Sequence, residues 1–201
     1  MTQIGEVTQI KFEQIDMKFP SNCVLFGPTM SGKSFLIERF VAKYQYKFKH
    51  IFAFGANVDN FKWLDQKKAQ LEIDLLYINR IMTANRDKKE STLIILDDVM
   101  QFDFTNGKNG KIWRDIISRC RHSNISFILS IQHIKALSPA MRGNCQYLFC
   151  TDLNNRTAED IHKLTNIDSL SELKMMGKKI KGYKSFLAIR WPTNKDHLIV
   201  V

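Results

Sequence analysis

Eight consecutive residues carry the clearest chemistry in this chain: Gly27-Pro28-Thr29-Met30-Ser31-Gly32-Lys33-Ser34, a full match to G-x-x-x-x-G-K-[ST]. Two glycines let a backbone curl until successive N–H groups face inward. A helix starting at the lysine adds its positive dipole end, so the octet can cradle phosphate oxygens. Lys33 then offers a point charge to the β and γ phosphates, and Ser34 offers a hydroxyl to Mg2+. The nucleotide-binding set predicted from this motif is Gly27, Pro28, Thr29, Met30, Ser31, Gly32, Lys33, Ser34 and Phe35, with ATP and Mg2+ as cofactors.

A second constellation, Leu93-Ile94-Ile95-Leu96-Asp97-Asp98, delivers two carboxylates to the end of an apolar run and reads as a Walker B element. Asp97 suits a metal ligand beside Ser34, and Asp98 suits a group that orients or deprotonates an attacking water. A third, Ser126 to Gln132, ends an apolar run in an amide that can both donate and accept, as a γ-phosphate sensor must. His133, next in the chain, is read as a solvated or packing histidine.

Four arginines qualify for stabilising transition-state charge across a subunit boundary: Arg114, Arg119, Arg121 and Arg142. From Lys111 to Arg121 a helical period gathers Ile112, Trp113, Ile116, Ile117 and Cys120 on one face. It puts Arg114 and Arg121, seven positions apart, within about 20° of each other on the opposite face. Arg121 joins Lys33, Asp98 and Gln132 as the predicted catalytic set; Ser34 and Asp97 are the predicted metal ligands.

These residues need elements to hold them, and the pattern supplies an α/β fold with a largely parallel sheet, short apolar runs alternating with helical stretches. Predicted strands are Asn22 to Phe26, His50 to Phe54, Thr92 to Leu96, Ile125 to Ile131 and Gln146 to Cys150. The unbroken apolar run at 93–96 predicts a strand covered on both faces. Predicted helices run from Lys33 to about Tyr46, Lys111 to about Arg121, and Thr157 to Leu164, the last capped with help from Thr157 and Asp160. Residues 1 to 19 are expected to add an edge strand, and residues 55 to 90 carry mixed signals. Thr105 to Lys111, TNGKNGK, is expected to be a polar loop. From Leu170 onward come a helical piece, a lysine-rich turn (Lys174, Lys178, Lys179, Lys181 and Lys184, with Gly177, Gly182 and Tyr183) and strand-like runs at Ser185 to Trp191 and His197 to Val201.

With 201 residues, 44% apolar and 25% charged, the chain is sized and balanced for one globular domain, which argues against a disordered chain, a coiled coil or a collagen-like fibre. Thirty Lys and Arg against twenty Asp and Glu leave +10, pointing to a polyanionic partner such as nucleic acid or an anionic membrane surface. The lysine-rich turn, the 105–111 loop and residues 55 to 90 are the candidate contacts to such a partner. No apolar run approaches the roughly 20 residues of a membrane-spanning helix, and the start of the chain lacks a secretory pattern. Cys23, Cys120, Cys145 and Cys150 sit in or beside apolar segments without zinc-finger spacing, so they read as reduced core thiols.

Taken together, GPTMSGKS, LIILDD, Arg121-His122 leading into NISFILSIQ, and the following LSPAMRGN resemble the poxvirus-type genome-packaging ATPases of the FtsK–HerA superfamily of P-loop NTPases, found in large DNA viruses, virophages and related elements. The resemblance spans roughly residues 20 to 150. It implies an additional-strand (RecA-like) P-loop fold with the Gln132 strand between the two Walker strands. It also implies assembly into a homo-oligomeric ring, a pentamer or hexamer, and ATP-driven translocation of double-stranded DNA into a capsid, with a capsid or vertex protein as docking partner. Action would be in the host cytoplasm or viral factory, with the virion a further location, and not after secretion. By position, Lys33 and Ser34 match the family's phosphate and Mg2+ contacts, Asp97 and Asp98 its acidic pair, Gln132 its sensor and Arg121 its arginine-histidine element. Another DNA-pumping or helicase ATPase of the superfamily, a small P-loop nucleoside or nucleotide kinase, and a noncatalytic nucleic-acid-binding protein are the competing readings.

Overall fold

The computed structural model describes residues 9–55, 57–64, 69–70, 72–98, 107–133, 137–164, 169–180, 185–190 and 197–200. Nine strands among them form one sheet: β1 (Gln9–Ile10), β2 (Asn22–Phe26), β3 (His50–Gly55), β4 (Ala69–Gln70), β5 (Thr92–Asp97), β6 (Ile125–Ile131), β7 (Tyr147–Cys150), β8 (Phe186–Arg190) and β9 (His197–Val200). Their order across the sheet is β1-β9-β8-β7-β2-β6-β5-β3-β4. Only the β7–β8 and β8–β9 ladders are antiparallel. The expected largely parallel sheet is present, with β6 between β2 and β5 as the additional-strand arrangement requires.

Alternation along the strands sorts the core onto two faces. Cys23, Leu25, Ile51, Ala53, Leu93, Ile95, Ile128 and Phe149 pack with Leu36, Ile37, Phe40, Val41 and Tyr44 of α1 (Lys33–Tyr44). Val24, Phe26, Ile94, Leu96, Phe127, Leu129 and Leu148 face the helices of the other side: α2 (Leu75–Asn85), α3 (Gly107–Arg119), α4 (Pro139–Asn144), α5 (Asn155–Leu164) and α6 (Leu170–Lys179). All six residues of β5 are buried, matching its continuous apolar run. The expected edge strand in residues 1–19 is β1, which pairs with β9. No helix among the described residues is long and apolar enough to cross a membrane.

Residues 11–17 are strapped to the outside of α1. Lys43 Nζ donates to the carbonyls of Phe12, Glu13 and Ile15 at 3.0, 2.8 and 2.5 Å, and the Tyr44 hydroxyl also donates to Ile15 O, at 2.5 Å. Arg39 lies over the Phe12 ring, 4.2 Å from its centre. Burial holds the Lys43 ammonium below its ordinary pKa and the Tyr44 phenol above its own.

Several expectations from sequence are corrected. The polar stretch ending at Lys111 is not all loop: α3 begins at Gly107, because Gly110, Trp113, Ile116 and Ile117 form a buried stripe whose packing overrides weak local propensity. Thr105 and Asn106 lie outside the described residues. Helix α3 ends at Arg119 and continues as a 3-10 turn over Cys120–Ser123, so Arg121 lies in that turn and not on the α-helix, exposed as Arg114 is. Helix α5 starts earlier than expected, and its cap is Asn154, whose side-chain oxygen accepts from Thr157 N at 3.0 Å, in place of Thr157 and Asp160. Lys174, Lys178 and Lys179 lie on α6, capped by Ser169, not on a loop. Gly177 is tolerated mid-helix because a Cβ there would lie 2.1 Å from Leu153 O. Lys181, Gly182, Tyr183 and Lys184 lie outside the described residues.

Candidate nucleotide-binding site

Strand β2 ends at Phe26, and the motif begins at once: Gly27 N donates to Ile131 O of β6 at 3.2 Å, tying the loop's first residue to the neighbouring strand. Gly27 cannot carry a side chain here, since a Cβ would sit 2.1 Å from Thr151 Oγ1 and 2.6 Å from Ser31 Oγ. Gly32 takes φ +91° at the helix N-cap, a conformation open to glycine. Met30 takes φ +62° at the loop's crest with 95% of its surface exposed, an unfavourable backbone region for an L side chain. Phe35, on the first turn of α1, is 47% exposed.

Within the loop, Lys33 is folded onto the backbone. Its Nζ donates to Gly27 O and Pro28 O, both at 2.7 Å. Burial holds its ammonium below the ordinary lysine value, while Asp97 and Asp98 act in the opposite direction. A triphosphate would give the same ammonium stronger acceptors than two carbonyls.

Next to Lys33, Ser34 Oγ donates to Asp97 Oδ2 at 3.1 Å. Asp97 closes β5 and is buried. A second donor, Asn60 Nδ2, reaches the same oxygen at 3.3 Å from the 3-10 turn Val58–Phe61 that follows β3. One hydroxyl and one carboxylate, both hard oxygen donors, fit Mg2+, which characteristically takes one or two carboxylates and completes its shell with waters and phosphate oxygens. Asp98, just past β5, adopts φ +53° and accepts from Gln132 Nε2 at 3.0 Å. Gln132 stands at the end of β6 and His133 beyond it is exposed.

All these groups gather at the carboxyl ends of β2, β3, β5, β6 and β7, the edge where open α/β sheets place their ligands. Sequence reasoning missed two of them. Asn60 sits in the stretch of mixed signals, and Thr151, after β7, shares a hydrogen bond with Ser31 at 2.6 Å and donates to Phe26 O at 3.3 Å. Neither belongs to a spaced motif; only the sheet order brings them in.

The profile described as Poxvirus A32 protein matches residues 9–189. The chain belongs to the poxvirus A32 protein family. No curated protein matches it. Among solved structures, the A32-family chain is similar to the genome packaging NTPase B204 from Sulfolobus turreted icosahedral virus 2 in complex with AMPPCP: TM-score 0.69 and 19% identity, covering 91% of this chain and 98% of that one. The DNA-packaging ATPase B204 from Sulfolobus turreted icosahedral virus gives TM-score 0.67 and 16% identity over 89% and 96%. The pCW3 conjugation coupling protein TcpA, solved with ATPgS, gives 0.65 and 12% over 89% and 59%. At these identities the likenesses establish the fold, that of a P-loop NTPase.

In the A32-family chain one of the four candidate finger arginines is clearly remote from the phosphate loop. Arg121 is exposed in the turn that leads into β6, so the seven residues of that strand, roughly 23 Å at about 3.3 Å each, separate it from the Gln132 end. Arg119 is engaged by Asp115 one turn earlier. Arg114 is exposed on α3, and Arg142 is half-buried on α4.

Proposed function

We propose that this A32-family chain is an ATP-hydrolysing motor that drives double-stranded DNA into a viral capsid. The observation that carries the reading is the pairing of Ser34 with Asp97 and of Gln132 with Asp98 at the ends of neighbouring strands. Together these give the chain a cation-binding pair and a separately held carboxylate. The family match over most of the chain and the fold shared with B204, whose solved forms include complexes with AMPPCP and ATP-gammaS, support it.

In this reading residues 27–35 hold the nucleotide, and Ser34 and Asp97 hold Mg2+, which when bound neutralises charge on the β and γ phosphates. Lys33 exchanges the Gly27 and Pro28 carbonyls for phosphate oxygens. Asp98 orients a water and accepts its proton, and Gln132 fixes the carboxylate's direction through its amide. A small P-loop kinase has no evident use for a glutamine-ended strand beside the Walker B strand, whereas here that glutamine holds Asp98. Arg121 stands at the far end of β6 from its own phosphate loop and so acts on a neighbour's nucleotide, which makes a homo-oligomeric ring part of the mechanism. The +10 charge suits a duplex DNA partner, and a capsid or vertex protein would receive the ring.

Steady-state ATP hydrolysis with and without long duplex DNA, at low and moderate salt, tests this, with Lys33→Ala as the blank. Salt-sensitive stimulation by duplex DNA is expected, and turnover in Lys33→Ala should fall by about 10²–10³-fold or more. Near-normal turnover in Lys33→Ala would remove the loop from the mechanism. Hydrolysis by an assembled ring that ignores DNA would end the translocation reading.

A further inference from the structure

Ser130 lies on β6 with none of its surface exposed, and its Oγ is the buried side-chain polar atom without a hydrogen-bond partner among the described residues. An unpaired hydroxyl in a packed sheet is costly, and such groups mark a strained site or a missing partner. Its neighbours are fixed by the ladders. Ser130 is paired with Leu25 of β2, and Leu129 with Leu96 of β5, so the next step of that ladder sets Ser130 beside Asp97. The faces agree as well. Leu25, Ile128, Leu93 and Ile95 all point into the core under α1, and by alternation so do Ser130 and Asp97. The hydroxyl therefore lies on the α1 face of the sheet, on the strand next to β5, with backbones one strand spacing of about 4.8 Å apart.

Asp97 Oδ2 is held by Ser34 and Asn60. Once Ser34 turns its oxygen to a cation, it can no longer hold the carboxylate in the same way, and a replacement donor is needed on the buried side. We propose that Ser130 is that donor: a positioning residue whose hydroxyl, directly or through one water, aims Asp97 at Mg2+ when the site is loaded. The inference rests on the nucleotide–Mg2+ reading of the site. It accounts for a core position that is polar and yet unpaired.

Removing an unpaired buried hydroxyl has an opposite signature for stability and for metal binding, which separates this role from a packing role. The full-length protein is titrated with a fluorescent non-hydrolysable ATP analogue, first in EDTA and then at increasing Mg2+, for wild type, Ser130→Ala, Ser130→Thr and Lys33→Ala, with thermal unfolding of each apo protein alongside. Ser130→Ala is expected to unfold at the wild-type temperature or above and to bind the analogue normally in EDTA. It should need about tenfold more Mg2+ for half-saturation, the scale seen when an outer-shell partner of a metal ligand is lost. Ser130→Thr, which keeps the hydroxyl and suits a strand, should restore the wild-type Mg2+ dependence. An unchanged Mg2+ requirement in Ser130→Ala overturns the proposal, as does a loss of affinity equal with and without the metal. Should wild type bind the analogue no better than Lys33→Ala at any Mg2+ concentration, the nucleotide reading itself fails, and the inference falls with it.

Discussion

The amide of Gln132 donates to the carboxylate of Asp98 at 3.0 Å across the ends of two neighbouring strands, although the residues are 34 positions apart in the chain. The bond gives the amide a target inside the protein, so in the proposed mechanism Gln132 acts through Asp98. Asp98→Asn keeps the shape of the side chain and suits the left-handed backbone at φ +53°. It is expected to leave folding and nucleotide binding intact while slowing turnover by about 10²–10⁴-fold. Gln132→Ala should cost less, and the double variant should be no slower than Asp98→Asn alone. Kinetics of the three variants decide this, and additive losses would give Gln132 a role of its own on the nucleotide.

Arg121 lies a strand's length from its own loop, so in the proposed ring its effect would be a property of pairs of subunits. Arg121→Ala should lose hydrolysis by itself, and mixing it with Lys33→Ala subunits should restore part of it. An interface formed by the phosphate loop of the first and the arginine of the second is complete. Absence of any recovery in mixed assemblies would shift the role to Arg114, Arg119 or Arg142, or remove it.

Met30 occupies a backbone region that disfavours L side chains, and its own side chain is solvated. Met30→Gly removes the strain but gives the unfolded chain more freedom, so a net gain of up to about 1 kcal/mol is expected. For a chain of this size that is a rise in Tm of about 2–4 °C, measured on the apo protein. Met30→Ala should give no such gain.

At the opposite end of the sheet from the phosphate loop, Lys49 and His50 both reach Glu90 and hold its carboxyl down to about 2 from 4.5. A depressed carboxyl stabilises the fold above its unfolded pKa, and the contribution fades as pH falls from about 4.5 toward 2. Glu90→Gln should therefore lower Tm at pH 6 and match wild type near pH 2. A deficit of the same size at both values would assign Glu90 a packing role.

The phosphate loop was legible because its function is local: eight contiguous residues set both their own geometry and the helix that follows. The order of β2, β6 and β5 was legible only through the family resemblance, which implies the Gln132 strand between the two Walker strands, as the ladders have it. Asn60 and Thr151 were not, because each is a single polar residue whose role depends on which strands become neighbours. The start of α3 was hidden for a different reason. Gly107, Asn109 and Gly110 disfavour a helix locally, and only the burial of Trp113 and Ile116 against the sheet outweighs that.

The four buried cysteines make the protein its own reporter of motion. Burial pushes the thiols of Cys145 and Cys150 up to about 12 and those of Cys23 and Cys120 upward as well, so none is a ready nucleophile in the closed fold. Alkylation of each must wait for the element around it to open, and the four are distributed over β2, the turn before β6, the end of α4 and the end of β7. Labelling rates read site by site would time the breathing of the strand beneath the phosphate loop separately from that of the sheet beyond it, with no residue replaced.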